Sequence, residues 1–207
     1  MRTTILGSGN MARGVGTRLV AGGNAVTLHG RDTARAAALA AELGADATTD
    51  LDAALSADVI VLALPYQAAL ALAWELSGRL AGKIVVDLSN PLNATYDGLV
   101  TSPSTSAAEQ IAAAAPEARV VKAFNTTFAG TLVAGEVDGQ PLDVFVAGDD
   151  DEARATVLRL VQSGGLVAID AGPLHRARQL EALALLGITL QFRLDTGFGT
   201  AWKLVRP

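Results

Sequence analysis

Short apolar runs of strand type alternate with helical stretches along almost the whole of this 207-residue chain. The run VIVLAL at residues 59–64 is apolar at every position, which is typical of a strand buried on both faces of a parallel sheet. Strands of similar character are predicted at residues 2–6, 25–29, 46–48, 83–89, 118–125, 142–148 and 166–170. Since repeated strand–helix–strand units build parallel sheets with helices on both faces, the sequence predicts a Rossmann-type, doubly wound α/β fold with a mostly parallel sheet.

The stretch after the last predicted strand has the character of a single helix. Its leucines recur at helical spacing, at Leu180, Leu183, Leu186 and Leu190. We therefore predict a dinucleotide-binding Rossmann domain at residues 1–172. A small C-terminal helical extension, residues 173–207, is predicted to pack on the same domain.

One long segment, residues 89–106 (SNPLNATYDGLVTSPSTS), has neither a strand pattern nor a helix pattern. Loops of this length are uncommon in compact domains unless they act as lids or binding loops. Two interpretations stay open at this point: a lid over a binding site, or a disordered excursion.

Composition narrows the class of protein. The formal net charge is −5 at pH 7 and the chain has no cysteine. Non-specific nucleic-acid binding needs a basic surface, and disulfide or thiolate chemistry needs cysteine, so neither is expected. The chain has no apolar run of the roughly 18 residues that cross a bilayer, and its start does not have the pattern of a signal peptide. We expect a cytoplasmic protein with neither a membrane partner nor a nucleic-acid partner.

A glycine turn follows the first predicted strand directly. In the sequence LGSGNMA, Gly7, Gly9 and Ala12 fit the G-x-G-x-x-G/A fingerprint of dinucleotide-binding turns. The first glycine permits a tight turn, the second lets a pyrophosphate approach bare backbone, and the small third residue lets the helix lie close to the strand. The free N–H groups and positive dipole end of that helix would face the phosphates. The strand–turn–helix context favours a pyrophosphate site over a turn without a ligand.

The end of the second predicted strand, HGRDTAR, bears on the choice between NAD and NADP. An NAD site usually has an acidic residue about 20 residues beyond the glycines, where it accepts from the ribose hydroxyls. Here Gly30 and Arg31 occupy that place, and Arg35 follows in the next helix. Arginine binds phosphate bidentately, which favours NADP through its 2′-phosphate. The alternatives are that both arginines are solvated surface charges, or that Asp32 turns inward.

Familiar catalytic constellations are missing. Two histidines and no cysteine argue against a zinc site, and there is no G-x-S-x-G elbow. Neither Tyr66 nor Tyr96 has a lysine four residues on, so the tyrosine–lysine pair of short-chain dehydrogenases is missing. This pattern suits a reaction in which a cofactor supplies the reactive atom and the protein mainly aligns it.

The remaining candidates follow the ends of predicted strands, where open α/β sheets bind ligands. Leu64 and Pro65 could form an apolar shelf beside a nicotinamide, and Asn90 follows the next strand. Asn125 and Thr126 could hydrogen-bond the carboxamide or the partner substrate, so Asn125, Thr126 and Pro65 are the positioning candidates. The alternatives stay open: Pro65 ends a strand, and Asn125 satisfies loop backbone.

Several segments together resemble the family of NADPH:deazaflavin-coenzyme oxidoreductases, which exchange hydride between NADP and the 8-hydroxy-5-deazaflavin coenzyme F420. The resemblance rests on ILGSGNMARGVGTRLVAGG, HGRD, VIVLALP, VVKAFNT and the tail AGPLHRARQLEALALLGITL…GFGTAWKLV. A domain of metalloreductase membrane proteins is similar. The family resemblance implies NADP(H) as cofactor, F420 as likeliest co-substrate, and a homodimer.

The resemblance also implies roles for individual residues. The residues assigned to the pyrophosphate turn are Gly7, Ser8, Gly9, Asn10 and Met11. Gly30, Arg31 and Arg35 would surround the 2′-phosphate, although the family has Ser or Thr where this chain has Gly30. The residues that the resemblance places near the nicotinamide are Leu64, Pro65, Asn125 and Thr126. The deazaflavin cleft would be walled partly by Phe128, by residues 172–174 and by the turn at residues 197–199.

Two other functions stay open beside the deazaflavin reductase. One is an NADPH-dependent reductase of an imine, a ketone or a flavin. The other is a non-catalytic NADP-binding sensor or scaffold, which the lack of an acid–base set allows.

Overall fold

A computed structural model describes residues 1–205 of the chain. Eight strands form one sheet and two short strands form a separate hairpin in this part of the chain. The strands are β1 (Arg2–Leu6), β2 (Ala25–His29), β3 (Asp46–Ala47), β4 (Val59–Leu62), β5 (Ile84–Asp87), β6 (Arg119–Lys122), β7 (Glu136–Val137), β8 (Gln140–Pro141), β9 (Asp143–Gly148) and β10 (Val167–Gly172). The order in the main sheet is β10-β9-β6-β5-β4-β1-β2-β3, and β7 pairs with β8.

Most helices connect successive strands of the main sheet, α6 leads to the β7–β8 hairpin, and α8 follows the last strand. They are α1 (Asn10–Ala21), α2 (Thr33–Leu43), α3 (Leu51–Leu55), α4 (Tyr66–Glu75), α5 (Ala107–Ala114), α6 (Ala129–Ala134), α7 (Asp151–Ser163) and α8 (Ala177–Leu194), with 3₁₀ turns at Ser77–Arg79 and Leu174–Arg176. This arrangement confirms the predicted Rossmann-type fold with a C-terminal helix. Among the described helices, none combines the length and apolarity that a membrane span requires.

The strand order reverses direction at β1, which lies between β4 and β2. Such a switch point leaves a crevice at the carboxyl ends of the strands, and this is where open α/β sheets bind ligands. The core lies on the two faces of the sheet as two clusters of buried apolar side chains, one containing Ile5 and Val15 and the other Leu62 and Ala69. Both clusters are rich in alanine, which lets helices lie close to strands.

The last two strands run opposite to the others. β9 pairs antiparallel with β6, whereas β10 pairs parallel with β9. The chain does repeat a strand–helix–strand unit here, as expected, but both strands of the unit run antiparallel to the other strands of the main sheet. As a result, the carboxyl end of β10 points away from the crevice.

Most element boundaries agree with the sequence prediction, and the differences have local causes. The run at residues 59–64 leaves the sheet after Leu62, before the turn that Pro65 enforces. Helix α4 ends at Glu75, and the chain continues as a 3₁₀ turn before it reaches β5. The division of the chain at residue 172 stays a prediction, and residues 206 and 207 of the predicted extension lie outside the described residues.

The long segment at residues 89–106 is an ordered loop, not a disordered excursion. An antiparallel bridge joins Leu92 to Leu99, and the side chain of Asn93 donates to Asp97 Oδ1 at 2.7 Å. At its tip Tyr96 has a positive φ of 58°, a conformation that non-glycine residues rarely adopt. The loop thereby holds a tyrosine ring in one place. Whether it acts as a lid stays a prediction.

Candidate active site

The glycine turn has the geometry that its sequence predicts. Gly7 has a φ of +128°, and a Cβ on it would lie 2.4 Å from the carbonyl oxygen of Ala63, so only glycine fits. Its N–H donates to the carbonyl of His29 at 2.8 Å, which ties the turn to the end of β2. Gly9 precedes α1, and nothing lies within 4 Å of the position that its Cβ would occupy. The turn therefore leaves open space in front of the helix.

The N-terminus of α1 is free to bind an anion. No side chain caps this helix, and no acidic residue lies in its first turn. Four other helices are capped by side chains, namely those of Asp32, Asp50, Ser106 and Asp150. Because uncapped amides and the helix dipole both attract negative charge, the residues at this turn fit the diphosphate of a dinucleotide. Ser8 and Met11 are half-buried beside the turn, and Asn10 is exposed.

Glycines further along α1 serve packing. A Cβ on Gly14 would lie 2.8 Å from the Cβ of Leu132 in α6, and one on Gly16 would lie 2.6 Å from Leu43 Cδ1 in α2. The helix can thus lie close to both neighbours. These two positions explain why α1 is held tightly beneath the turn.

Two exposed arginines follow β2, whose end lies against the glycine turn. A Cβ on Gly30 would lie 3.5 Å from Ser8 Oγ, so this glycine lies directly against the turn. Arg31 and Arg35 are exposed, and their guanidinium groups have no ion-pair partner within residues 1–205. Asp32 does not turn inward, because its Oδ1 accepts from the amide of Arg35 at 3.0 Å and caps α2.

Two asparagines meet where β5 and β6 end. Asn90 Nδ2 donates to the carbonyl of Asn125 at 2.9 Å, and Asn125 Nδ2 donates to Asn90 Oδ1 at 2.9 Å. Asn125 Nδ2 also donates to the carbonyl of Leu180 in α8, at 3.0 Å. The remaining atom, Asn125 Oδ1, is buried and has no partner among the described residues. An unpaired buried acceptor is costly, and it fits a ligand that brings a donor, such as a carboxamide.

The other strand-end candidates are placed differently. Leu64 is half-buried against the second core cluster, and Pro65 is exposed at the start of α4. Tyr66 donates its hydroxyl to Gln110 Oε1 of α5 at 2.6 Å. Thr126 is buried. Leu64, Pro65 and Thr126 do not line the cavity described next, and their predicted contact with a nicotinamide stays a prediction.

A cavity of about 360 Å³ adjoins the glycine turn. Met11 lies on one side of it, and Asn90 and Asn125 lie on another. Much of the remaining wall is aromatic, formed by Tyr96, Phe128, Phe192 and Phe198. The ring of Phe198 packs edge-on against Phe128 and Phe192, with centroids 5.2 and 5.5 Å apart. Such a wall suits a flat, conjugated ligand, since ring faces and edges offer specific contacts.

One part of the predicted cleft wall is wrong. The segment Gly172, Pro173 and Leu174 does not line the cavity. The physical reason is the reversed direction of β10, whose carboxyl end carries this segment away from the edge where Asn125 lies. Phe128 and Phe198, expected in the wall from the resemblance, do line it.

Three ionisable side chains that sequence reasoning missed are completely buried beside the asparagines. Lys122 Nζ donates to Asp87 Oδ2 at 2.7 Å, to Glu181 Oε1 at 2.9 Å and to the carbonyl of Ser89 at 2.5 Å. Glu181 also accepts from the amides of Ala107 and Ala108 at the start of α5. The signal was present in the sequence, because Asp87 and Lys122 are charged residues in otherwise apolar strands.

Burial and mutual attraction oppose each other in this cluster, which we call the Lys122 cluster (Asp87, Lys122 and Glu181). Burial acts to lower the pKa of Lys122, but the two carboxylates outweigh it, so the pKa lies above its ordinary value and the ammonium keeps its charge. Burial raises the pKa of Glu181, against the effect of Lys122. Lys122 therefore acts as a fixed cation between two acids and a carbonyl.

Comparison with known proteins agrees with this geometry. Residues 2–91 match the family model described as NADP oxidoreductase, coenzyme F420-dependent. The F420-dependent NADP reductase of Methanothermobacter thermautotrophicus is 30% identical over 205 residues, covering 90% of this chain and 87% of that protein. The chain belongs to the family of F420-dependent NADP reductases. This family membership, predicted from the resemblance, is confirmed, and with it the assignment to a family of NADP-dependent oxidoreductases.

Three further relatives show how much of the chain is shared. A solved structure from Arthrobacter sp. FB24, provisionally assigned as an F420-dependent NADP reductase, superimposes with a TM-score of 0.87 at 30% identity and 99% coverage of both chains. Metalloreductase STEAP3 of Rattus norvegicus is 38% identical over 181 residues, which is 87% of this chain. The chain spans 36% of that metalloreductase and 66% of the F420-dependent NADP reductase of Methanocaldococcus jannaschii.

Proposed function

We propose that this protein transfers hydride between NADPH and coenzyme F420. The observation that carries the proposal is the cavity itself, which reaches from Met11 at the glycine turn to an aromatic wall. A dinucleotide held at the turn would extend its nicotinamide toward Asn125, and a flat partner would fit between that ring and the phenylalanines. When bound, NADPH supplies the hydride and the deazaflavin accepts it.

The phosphates would be held by backbone and by two arginines. The amides at Gly7, Ser8, Gly9, Asn10 and Met11 would face the diphosphate. Arg31 and Arg35 would pair with the 2′-phosphate beside Gly30, where a Cβ would be in ordinary contact with Ser8. Asp32 caps α2 through Oδ1, and Gly30 and Arg31 stand where an NAD site usually has its ribose-binding acid, which supports NADP over NAD.

The nicotinamide end would be oriented by side chains. Asn125 Oδ1, which is buried and unpaired, would accept from the carboxamide N–H group. Asn90 would hold Asn125 in that orientation through their two mutual hydrogen bonds. Leu64, Pro65 and Thr126 are proposed to complete the pocket around the ring. These residues bind and align, and they supply no acid or base.

Titration of the protein with NADPH and NADH tests the nucleotide. Arg31→Ala should weaken NADPH binding by about 10- to 100-fold, since bonds to a charged phosphate contribute about 1.5–3 kcal/mol, and leave NADH binding unchanged. Arg159→Ala, which removes an exposed arginine of α7, is the matched control. Equal affinity of the unaltered protein for both nucleotides would contradict the role of Arg31.

Mixing the protein with NADPH and oxidised F420 and following absorbance tests the reaction. Turnover supports the proposal. Tight NADPH binding without turnover would instead favour a reductase of an imine, a ketone or a flavin, or a non-catalytic NADP sensor. Screening imines, ketones and flavins as substrates would then distinguish a reductase of another substrate from a non-catalytic sensor.

We also propose a homodimer in the cytoplasm. Support for self-association comes from three apolar side chains of α8 that are at least half exposed, namely Leu186, Phe192 and Leu194. Large exposed apolar side chains are common in protein–protein interfaces. Light scattering at several concentrations gives the number of subunits.

A further inference from the structure

The Lys122 cluster is saturated with hydrogen bonds. A lysine ammonium has three donors, and those of Lys122 have three acceptors in Asp87, Glu181 and the carbonyl of Ser89. All three charged side chains have 0% exposed surface. The position of the ammonium group is therefore fixed from three directions.

Stability alone does not explain such a cluster. Replacing buried ion pairs by apolar side chains of similar size is often neutral or even stabilising, because burying charge costs as much as the pairing returns. A fixed geometry is what the cluster adds. Its bonds join β5, β6, α5 and α8 at one point.

That point lies directly behind the asparagine pair. Asp87 and Lys122 are the last residues of β5 and β6, and Asn90 and Asn125 each come three residues later. Lys122 also holds the carbonyl of Ser89, the residue before Asn90. On α8, Glu181 receives the bond from Lys122 while its neighbour Leu180 receives the bond from Asn125.

The asparagine pair has one orientation and one free atom. Asn125 uses both amide hydrogens, on Asn90 Oδ1 and on the carbonyl of Leu180. Only Asn125 Oδ1 is left without a partner, and it is buried. A shift of either strand end or of α8 would change the direction of this acceptor.

We propose that Lys122 is a positioning residue for the nicotinamide of NADP(H), acting through Asn90 and Asn125. It locks the two strand ends and the start of α8 together, so that Asn125 Oδ1 faces the carboxamide. This inference rests on the proposed NADP site but not on F420 as the partner.

Two ligands that differ in the nicotinamide separate positioning from general damage. Adenosine 2′,5′-bisphosphate carries the 2′-phosphate and lacks the nicotinamide. Lys122→Met should weaken NADPH binding by about tenfold, the effect of a misdirected hydrogen bond, and change binding of the bisphosphate by less than about twofold. Fluorescence of bound NADPH and calorimetry of the bisphosphate give the two dissociation constants.

Two further variants keep the test decisive. Glu181→Gln keeps one oxygen that can accept from Lys122 but sets an NH2 group against the amide of Ala107, so the ratio of the two dissociation constants should change by less than it does in Lys122→Met. If Lys122→Met does not fold because two buried acids lose their partner, the neutral combination Lys122→Met, Asp87→Asn and Glu181→Gln replaces it.

The outcomes are distinct. Equal weakening of both ligands by Lys122→Met would mean a purely structural role, and no weakening of either would mean no positioning role. Each result overturns the inference while the unaltered protein still binds NADPH. If the unaltered protein binds neither ligand, the NADP site itself is absent and both proposals fall.

Discussion

The two ends of the proposed dinucleotide site are built in different ways. The phosphate end uses backbone, since it consists of the turn at Gly7 and Gly9 and an uncapped helix. The nicotinamide end uses side chains, since Asn90 and Asn125 come from different strands and are braced against α8. The phosphate end is open before any ligand arrives, whereas the other end has satisfied all but one of its polar atoms internally. A site for an anion needs hydrogen-bond donors without partners, whereas a site that orients a ring needs side chains held in one position.

Two alanine variants at the glycine turn test the backbone-built end and should have the largest effect. Gly7→Ala places a Cβ 2.4 Å from the carbonyl of Ala63 on a backbone with positive φ, so the protein should lose about 3 kcal/mol of unfolding free energy or fail to fold. Gly9→Ala meets no atom within 4 Å, so its stability should change by less than about 0.5 kcal/mol.

The same pair distinguishes folding from binding. Gly9→Ala should still weaken NADPH by at least about tenfold, because its methyl group would enter the space for the diphosphate. Chemical denaturation and NADPH titration of both variants give the two quantities. Unchanged NADPH affinity in a folded Gly9→Ala protein would argue against a diphosphate at this turn.

A smaller effect is expected at the aromatic wall beside the side-chain-built end. Phe198→Ala removes two edge-on ring contacts and should raise KM for F420 by about tenfold, with NADPH affinity within about twofold. Steady-state kinetics at saturating NADPH measures this. The control is Trp74→Ala, which removes an exposed aromatic ring of α4. A rise in KM of equal size in the control would rule out a specific stacking wall.

The smallest expected effect is on the pH dependence of stability, through an ion pair that joins α5 to α8. A bidentate pair with Arg178 holds the pKa of Glu109 below its ordinary value of 4.5. A carboxyl with a lowered folded pKa adds stability above its ordinary pKa and loses it as the pH falls below that value. As the pH falls below about 5, the unfolding free energy of Glu109→Gln should therefore decrease less than that of the unaltered protein. The difference between the two decreases should be less than ~1 kcal/mol. Urea denaturation between about pH 6 and pH 3 checks this, and parallel curves would contradict it.

The same contrast explains what could be predicted from the sequence. The glycine turn follows a strand directly, so local spacing predicts its geometry. Asn90 and Asn125 were found because they follow strands. Their mutual bonds, and those of Asn125 to α8, join residues 35 and 55 positions apart, and no local pattern encodes such contacts.

Three differences between the sequence prediction and the structure depend on how distant segments meet. The expectation for Gly172 to Leu174 failed because the pattern of a strand does not reveal its direction, and β10 runs opposite to β6. Glu181 was missed because nothing in the sequence of an amphipathic helix shows that an acid on it will face a buried lysine. Tyr96 and Phe192 were not predicted for the cavity because they meet only when the loop and α8 come together.

The reversed strand also fixes the length of the last segment of the chain. Asp143 begins β9 with a buried carboxylate that receives both the ammonium group of Lys203 and the amide of Leu204. At its other end the segment leaves α8 after Leu194, and Phe198 must reach the cavity in between. Insertion or deletion of even one residue between these anchors would either pull Phe198 out of register or uncover the carboxylate.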